Sequence, residues 1–197
     1  MAFLEPQGTT LLVVDMQQGF DDPRWGRRNN PEMELRVRDL LRAWRTAGRP
    51  VVHVRHMSTE PTSPLRPHQP GNAFKAEAAP LAGERVCEKR VNSAFIGTSL
   101  EGDLRHGGCR GLTIVGLTTN HCVSTTARMA GNLGFATWVV SDATATFDRV
   151  GPDGREHRAE EIHAISLSDL HGEFATIVDS EAVIAALQPN PSPRRTA

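Results

Sequence analysis

Thr10-Leu11-Leu12-Val13-Val14-Asp15 is an unbroken apolar run that stops abruptly at a carboxylate. A strand buried on both faces reads this way, whereas a strand in a half-wetted sheet alternates apolar with polar residues. Downstream, after a loop rich in Asp, Pro and Arg, Asn30-Pro31-Glu32 has the form of a helix start: Asn as cap, Pro at the first helical position, an acid in the first turn. Leu35, Leu40, Leu41 and Trp44 follow at near-helical spacing, Gly48 is placed to end the helix, and Pro50-Val51-Val52-His53-Val54 supplies a second buried strand. The pattern then repeats, with strands expected near residues 85–88, 112–116, 136–140 and 174–178. Helices are expected over 98–106, 119–133 with Gly134 as its C-terminal stop, 156–170 and 180–187. Six strands alternating with helices imply a mostly parallel sheet covered on both faces, because parallel neighbours need crossover connections. The expected class is three-layer α/β/α, a single domain over residues 1–188 with a flexible tail at 189–197. Residues 57–84 hold many Pro, Ser, His and Gln without periodicity, and read as a functional loop or partial lid.

Composition narrows the partners. The chain has 197 residues with 22 basic and 23 acidic side chains spread along it, so no field gathers nucleic acid or an anionic membrane. Three cysteines, Cys87, Cys109 and Cys122, suit reduced thiols better than a disulfide framework. The first residues lack a basic flank with an apolar core, and no run approaches the roughly 20 apolar residues of a membrane span. A soluble, cytoplasmic protein acting on a small molecule is expected, with no nucleic acid and no membrane among its partners.

In sheets of this kind ligands bind beyond the carboxyl ends of the strands. The residues standing there are Asp15, His56, Lys89 and the stretch from Thr118 to Cys122. A thiol at a helix N-terminus beside an ammonium is expected to have a lowered pKa, a role that suits Cys122 and Lys89. A carboxylate such as Asp15 can take the thiol proton during attack and return it to a departing amine. Backbone N–H groups at the strand-to-helix turn can bind the oxyanion. Buried Cys, post-strand Asp and surface Lys are all common, so spacing alone leaves ordinary packing open beside this reading.

The flanking residues are more specific. Val14-Asp15-Met16-Gln17-Gln18-Gly19-Phe20, Glu88-Lys89-Arg90-Val91-Asn92-Ser93-Ala94-Phe95 and Gly116-Leu117-Thr118-Thr119-Asn120-His121-Cys122-Val123 together resemble the isochorismatase-like cysteine hydrolases, in that family's order. The resemblance spans about residues 9–180, and the general layout is also similar to streptothricin hydrolases. It implies a Rossmann-like sheet of order 3-2-1-4-5-6 and a catalytic triad of Asp15 as proton shuttle, Lys89 as electrostatic partner and Cys122 as nucleophile. It also implies a cis peptide between Leu117 and Thr118, which would aim the Thr118 amide, with that of Cys122, at an oxyanion. Homo-oligomers are usual in the superfamily and are expected here.

Other constellations carry less. His53 and His56 lie three apart on a strand and so point to opposite faces, which disfavours a shared metal. Nicotinamidases place an Asp-x-His pair and a second His here, and His53-Val54-Arg55-His56-Met57-Ser58 departs from that pattern. Glu160 and His163 have the i, i+3 spacing of a di-metal helix but lack a second such pair, so a solvated helix face is the better reading. No cofactor and no metal are expected. Phe20, Trp25, His56, Asn92 and Phe95 are candidates to line a substrate pocket, with ordinary packing as the alternative for each, and His121 is read as packing. Cys87 and Cys109 read as small core fillers. Three functions stand: cysteine-dependent cleavage of an amide, ureido or lactam C–N bond, acid-catalysed hydrolysis of a vinyl ether as in true isochorismatases, or a binding protein on the same fold. An activated Cys122 would be alkylated ahead of Cys87 and Cys109 near neutral pH.

Overall fold

The computed structural model describes residues 8–187, so the tail expected at 189–197 lies outside the described residues. Six strands form one sheet: β1 (Thr9–Val14), β2 (Val51–His56), β3 (Arg85–Lys89), β4 (Gly111–Leu117), β5 (Ala136–Ala145) and β6 (Thr176–Val178). Their order is β3-β2-β1-β4-β5-β6 and every pairing is parallel, which bears out the expected sheet. All six residues of β1 are buried. Leu11 and Val13 join one core layer, with Met33, Val37, Leu40, Leu41 and Trp44 of α1 (Met33–Thr46) and Val183 of the C-terminal helix Ser180–Leu187. Leu12 and Val14 join the opposite layer, under α2 (Leu100–His106), α3 (Ser124–Asn132) and α4 (Ala159–Leu170). The alternation of a strand backbone thus divides one continuous apolar run between two cores.

Several local expectations are corrected. Asn30 does not cap α1: it sits in the left-handed region at φ 46°, and its amide donates to the Ser141 and Thr144 carbonyls of β5 at 3.0 and 2.7 Å. Asn29 does the matching job for Thr146, accepting its N–H at 2.7 Å. The pair pins the loop after β1 to the far side of the sheet, which is why the helix waits until Met33. Leu35 faces solvent, and the buried stripe of α1 runs instead through Met33, Val37, Leu40, Leu41 and Trp44. The helix expected from 156 begins at Ala159, because Glu156–His157 pairs with Arg149–Val150 as a short antiparallel ribbon. Glu161 accepts the Arg158 N–H and Asp148 accepts the Ala159 N–H, fixing that start. β6 is shorter than the run 174–178, since the Phe174 and Ala175 N–H groups close α4 on the Leu170 carbonyl.

β4 and β1 approach so closely that only glycine fits between them. Gly116, at φ 115°, is paired with Val14, and a Cβ placed there would stand 2.0 Å from the Val14 carbonyl oxygen.

Candidate active site

The register of the sheet assembles the site. Val14 pairs with Gly116, so the chain leaves β1 at Asp15 beside the point where it leaves β4. His56 pairs with Lys89 across β2 and β3, so these two side chains rise together at the next strand ends. Asp15 is held at φ 50°, an uncommon setting for a residue with a Cβ, by its N–H to the Val54 carbonyl and its carbonyl to the Gln17 N–H. Beyond β4 the Leu117–Thr118 peptide is cis. The expected helix then opens with a wide turn, Thr119–Val123, in which the Val123 N–H reaches back to the Thr118 carbonyl. Such five-residue turns recur at functional sites, and this one presents Cys122 to the strand ends.

Lys89 is the hub. Its ammonium contacts Asp15 Oδ2 at 2.6 Å, His56 Nδ1 at 3.0 Å and Cys122 Sγ at 3.2 Å. Asp15 and Lys89 have no exposed side-chain surface, and Asp15 Oδ1 is buried without a partner. Burial works against the Lys89 charge, but the Asp15 carboxylate and the Cys122 sulfur more than offset it, so the ammonium is held above its ordinary pKa. For Cys122 the expectation of a lowered pKa is overturned. Burial and the Asp15 carboxylate push the thiol well up, and Lys89 opposes them only in part. The resting sulfur therefore carries its proton, with an unpartnered carboxylate oxygen nearby to receive it. Asp15, His56 and Cys122 also offer three metal-type ligand atoms within 4.8 Å of one another. The Lys89 ammonium touches all three residues, so a divalent ion there would have to enter against a resident positive charge.

A cavity of about 470 Å³ opens over this centre. Phe20, Trp25, His56 and Asn92 line it, and the Cys122 thiol faces Asn92 Oδ1 at 3.9 Å. Phe20 and Trp25 form an aromatic wall backed by Phe147, whose ring stands against both from outside the lining, and Trp25 spends its indole N–H on the Gly19 carbonyl. Phe95 is not in the lining: its ring stacks on Phe135 in the core under the sheet. His121, read from sequence as packing, does line the cavity. Arg24 and Glu60 stand there too, Arg24 already engaged with Asp22 and the Thr62 carbonyl. His53 points away and pairs with Glu84, while Glu160 pairs with Arg27 and His163 with Thr119. Cys87 is buried and Cys109 half-buried, both outside the site.

Sequence reasoning missed the scaffold of the 57–84 loop. Gln17, fully buried, accepts the His56 N–H and donates to the carbonyls of His56 and Asn72, while Asn72 donates to those of His56 and Leu65. Gly71 is pressed against Gly19 and Pro64, where a Cβ would stand 2.5 Å from the Pro64 carbonyl oxygen. The loop is a tethered wall of the cavity. The one signal for this was Gln17 inside the Asp15 motif, and a single Gln has no periodicity to read.

Residues 9–182, nearly all of the described chain, match the isochorismatase domain family. The chain belongs to the isochorismatase family. It is 45% identical over 174 residues to YrdC of Bacillus subtilis, an isochorismatase family protein, covering 88% of this chain and 93% of that one. A solved protein of the isochorismatase family from Chromobacterium violaceum superposes with a TM-score of 0.90 at 48% identity, covering 95% of this chain and 96% of the other. A streptothricin hydrolase of Streptomyces noursei is 36% identical over 139 residues, 70% of this chain and 54% of its own length. The fold and hydrolase class expected from the three motifs are thereby established.

Proposed function

We propose that this isochorismatase-family hydrolase cleaves a C–N bond of a small amide, ureido compound or lactam through a covalent thioester on Cys122. The observation that carries the reading is the Lys89 ammonium bonded to both Asp15 Oδ2 and Cys122 Sγ while Asp15 Oδ1 stays free. A thiol that rests protonated needs a base at the moment of attack, and Asp15 Oδ1 is that base. As Sγ attacks the carbonyl carbon, its proton passes to Asp15, which becomes neutral, the negative charge moves onto the carbonyl oxygen, and Lys89 steadies the thiolate character that sulfur develops on the way. The oxyanion falls to the backbone N–H groups of Thr118 and Cys122, each such donor contributing about 3 kcal/mol. Asp15 then gives the proton to the departing nitrogen, the C–N bond breaks, and the acyl group remains on sulfur. Water enters, Asp15 takes one of its protons, hydroxide adds to the thioester carbonyl, and the thiolate leaves and is reprotonated by Asp15. A vinyl ether hydrolase working by acid catalysis would have no use for the thiol.

The test is amine release from a panel of small amides, ureido compounds and lactams, with a chelator present and hydroxylamine added in a parallel series. Turnover that survives the chelator and yields the hydroxamate in place of the acid supports the thioester. Turnover that never diverts to hydroxamate and is indifferent to Cys122→Ala contradicts it.

A further inference from the structure

An ammonium has three N–H donors, and Lys89 directs them at Asp15 Oδ2, Cys122 Sγ and His56 Nδ1. Two consequences follow. Lys89 has no N–H left for a substrate, and His56 must present Nδ1 as an acceptor, which puts its ring proton on Nε2. Among the described residues no hydrogen bond uses Nε2, and that atom is not among the buried unpartnered ones. His56 lines the cavity, and its backbone is clamped on both sides, N–H to Gln17 and carbonyl to Gln17 and Asn72. The ring is therefore held in one tautomer with one unused donor at the cavity.

We infer that His56 is a substrate-binding residue whose Nε2–H donates to an acceptor atom of the substrate other than the scissile carbonyl oxygen. His56 rises from β2, on the far side of Asp15 from the Thr118 and Cys122 amides at the end of β4. With the scissile oxygen assigned to those amides, Nε2–H is left for a different atom, so the fitting substrate carries a second acceptor, such as another carbonyl, near the scissile bond. The inference rests on the hydrolase reading for its substrate and on the Lys89 contacts alone for its tautomer. The charged and titratable groups around the ring are Asp15, Lys89, Cys122, His121, Arg24 and Glu60. Burial and Lys89 hold the imidazole below its usual pKa, with Asp15 opposing them, so it stays neutral in the working range.

Two substitutions separate donation from support of Lys89. In Gln the amide nitrogen takes the place of Nε2, whereas in Asn the amide oxygen takes the place of Nδ1. On whichever panel compound gives the fastest Cys122-dependent amine release, His56→Gln should keep kcat/KM within about tenfold of wild type. His56→Asn and His56→Ala should lose about a hundredfold, the loss expected when a site donor is removed. Rescue by Asn and not by Gln would assign His56 to holding Lys89 and overturn the inference, as would equal loss in all three. Independently of turnover, 15N NMR of histidine-labelled enzyme at pH 7.5 should show His56 protonated on Nε2 alone. Protonation on Nδ1 overturns the inference even if the hydrolase reading stands. Absence of turnover on every compound, with the expected tautomer present, would fault the hydrolase reading instead.

Discussion

Asp15 and Cys122 show why a side chain's role depends on its neighbours' charge as much as on its own chemistry. From sequence, a thiol at a helix start near a lysine is expected to have a lowered pKa, but in the structure deep burial and the adjacent Asp15 carboxylate outweigh the ammonium. The sign of this balance is testable. Removing the negative charge in Asp15→Asn leaves Lys89 unopposed beside the sulfur, so the thiol pKa falls. Iodoacetamide at pH 7.5 should then modify Cys122 at least about tenfold faster in Asp15→Asn than in wild type, while hydrolysis is lost. Equal or slower labelling would show that Asp15 does not hold the proton on sulfur. The three catalytic candidates were legible because each lies inside a distinctive motif at a strand end: Asp15 directly after an apolar run, Lys89 at the close of a short strand and Cys122 in the turn beyond β4. The partners of His56 were not, because Gln17 and Asn72 act through backbone atoms 39 and 16 residues away, and no local pattern records such contacts.

At the scale of elements, strand ends carry the site and strand interiors keep it in register. Sequence periodicity gave the order of strands and helices, since each is a run of about the length its period needs. It misplaced helix starts where a side chain bonded across the sheet, as at Asn30, or where a ribbon formed first, as at Glu156. The approach of β4 to β1 is the least forgiving contact. Gly116→Ala would force a methyl into the Val14 carbonyl and shift both strand ends that hold Asp15 and Thr118. The expected loss of stability exceeds about 3 kcal/mol, read from the urea midpoint. A variant with the wild-type midpoint would refute that packing argument. Glu84 offers a milder test: it accepts from Arg45 of α1, from the Leu81 N–H and from His53 of β2. Burial works against its charge, but those partners more than offset this and hold its carboxyl down at about 2. Its stabilisation is full above the ordinary carboxylate range and is lost as pH falls towards that value. The Tm deficit of Glu84→Gln should accordingly be largest near neutral pH and shrink as pH is lowered from about 4.5 towards 2. A deficit that is constant with pH would mean that the charge is not what matters.

For the whole molecule, a doubly covered parallel sheet turns a topological fact into a chemical one. The central neighbours β1 and β4 run to opposite sides of the sheet through their crossovers, which leaves a crevice at their ends, and Cys122 and Asp15, the proposed nucleophile and base, meet there. The tethered loop 57–84, the aromatic wall and the buried triad of Asp15, Lys89 and Cys122 then close a cavity suited to a small molecule. The central claim is that Cys122 performs the chemistry. The most direct measurement is the rate of amine release by Cys122→Ala beside wild type on the same compound, at matched fold and Tm. The account predicts a drop of at least about ten-thousandfold, the scale seen when a catalytic nucleophile is removed. A Cys122→Ala enzyme within tenfold of wild type would contradict it.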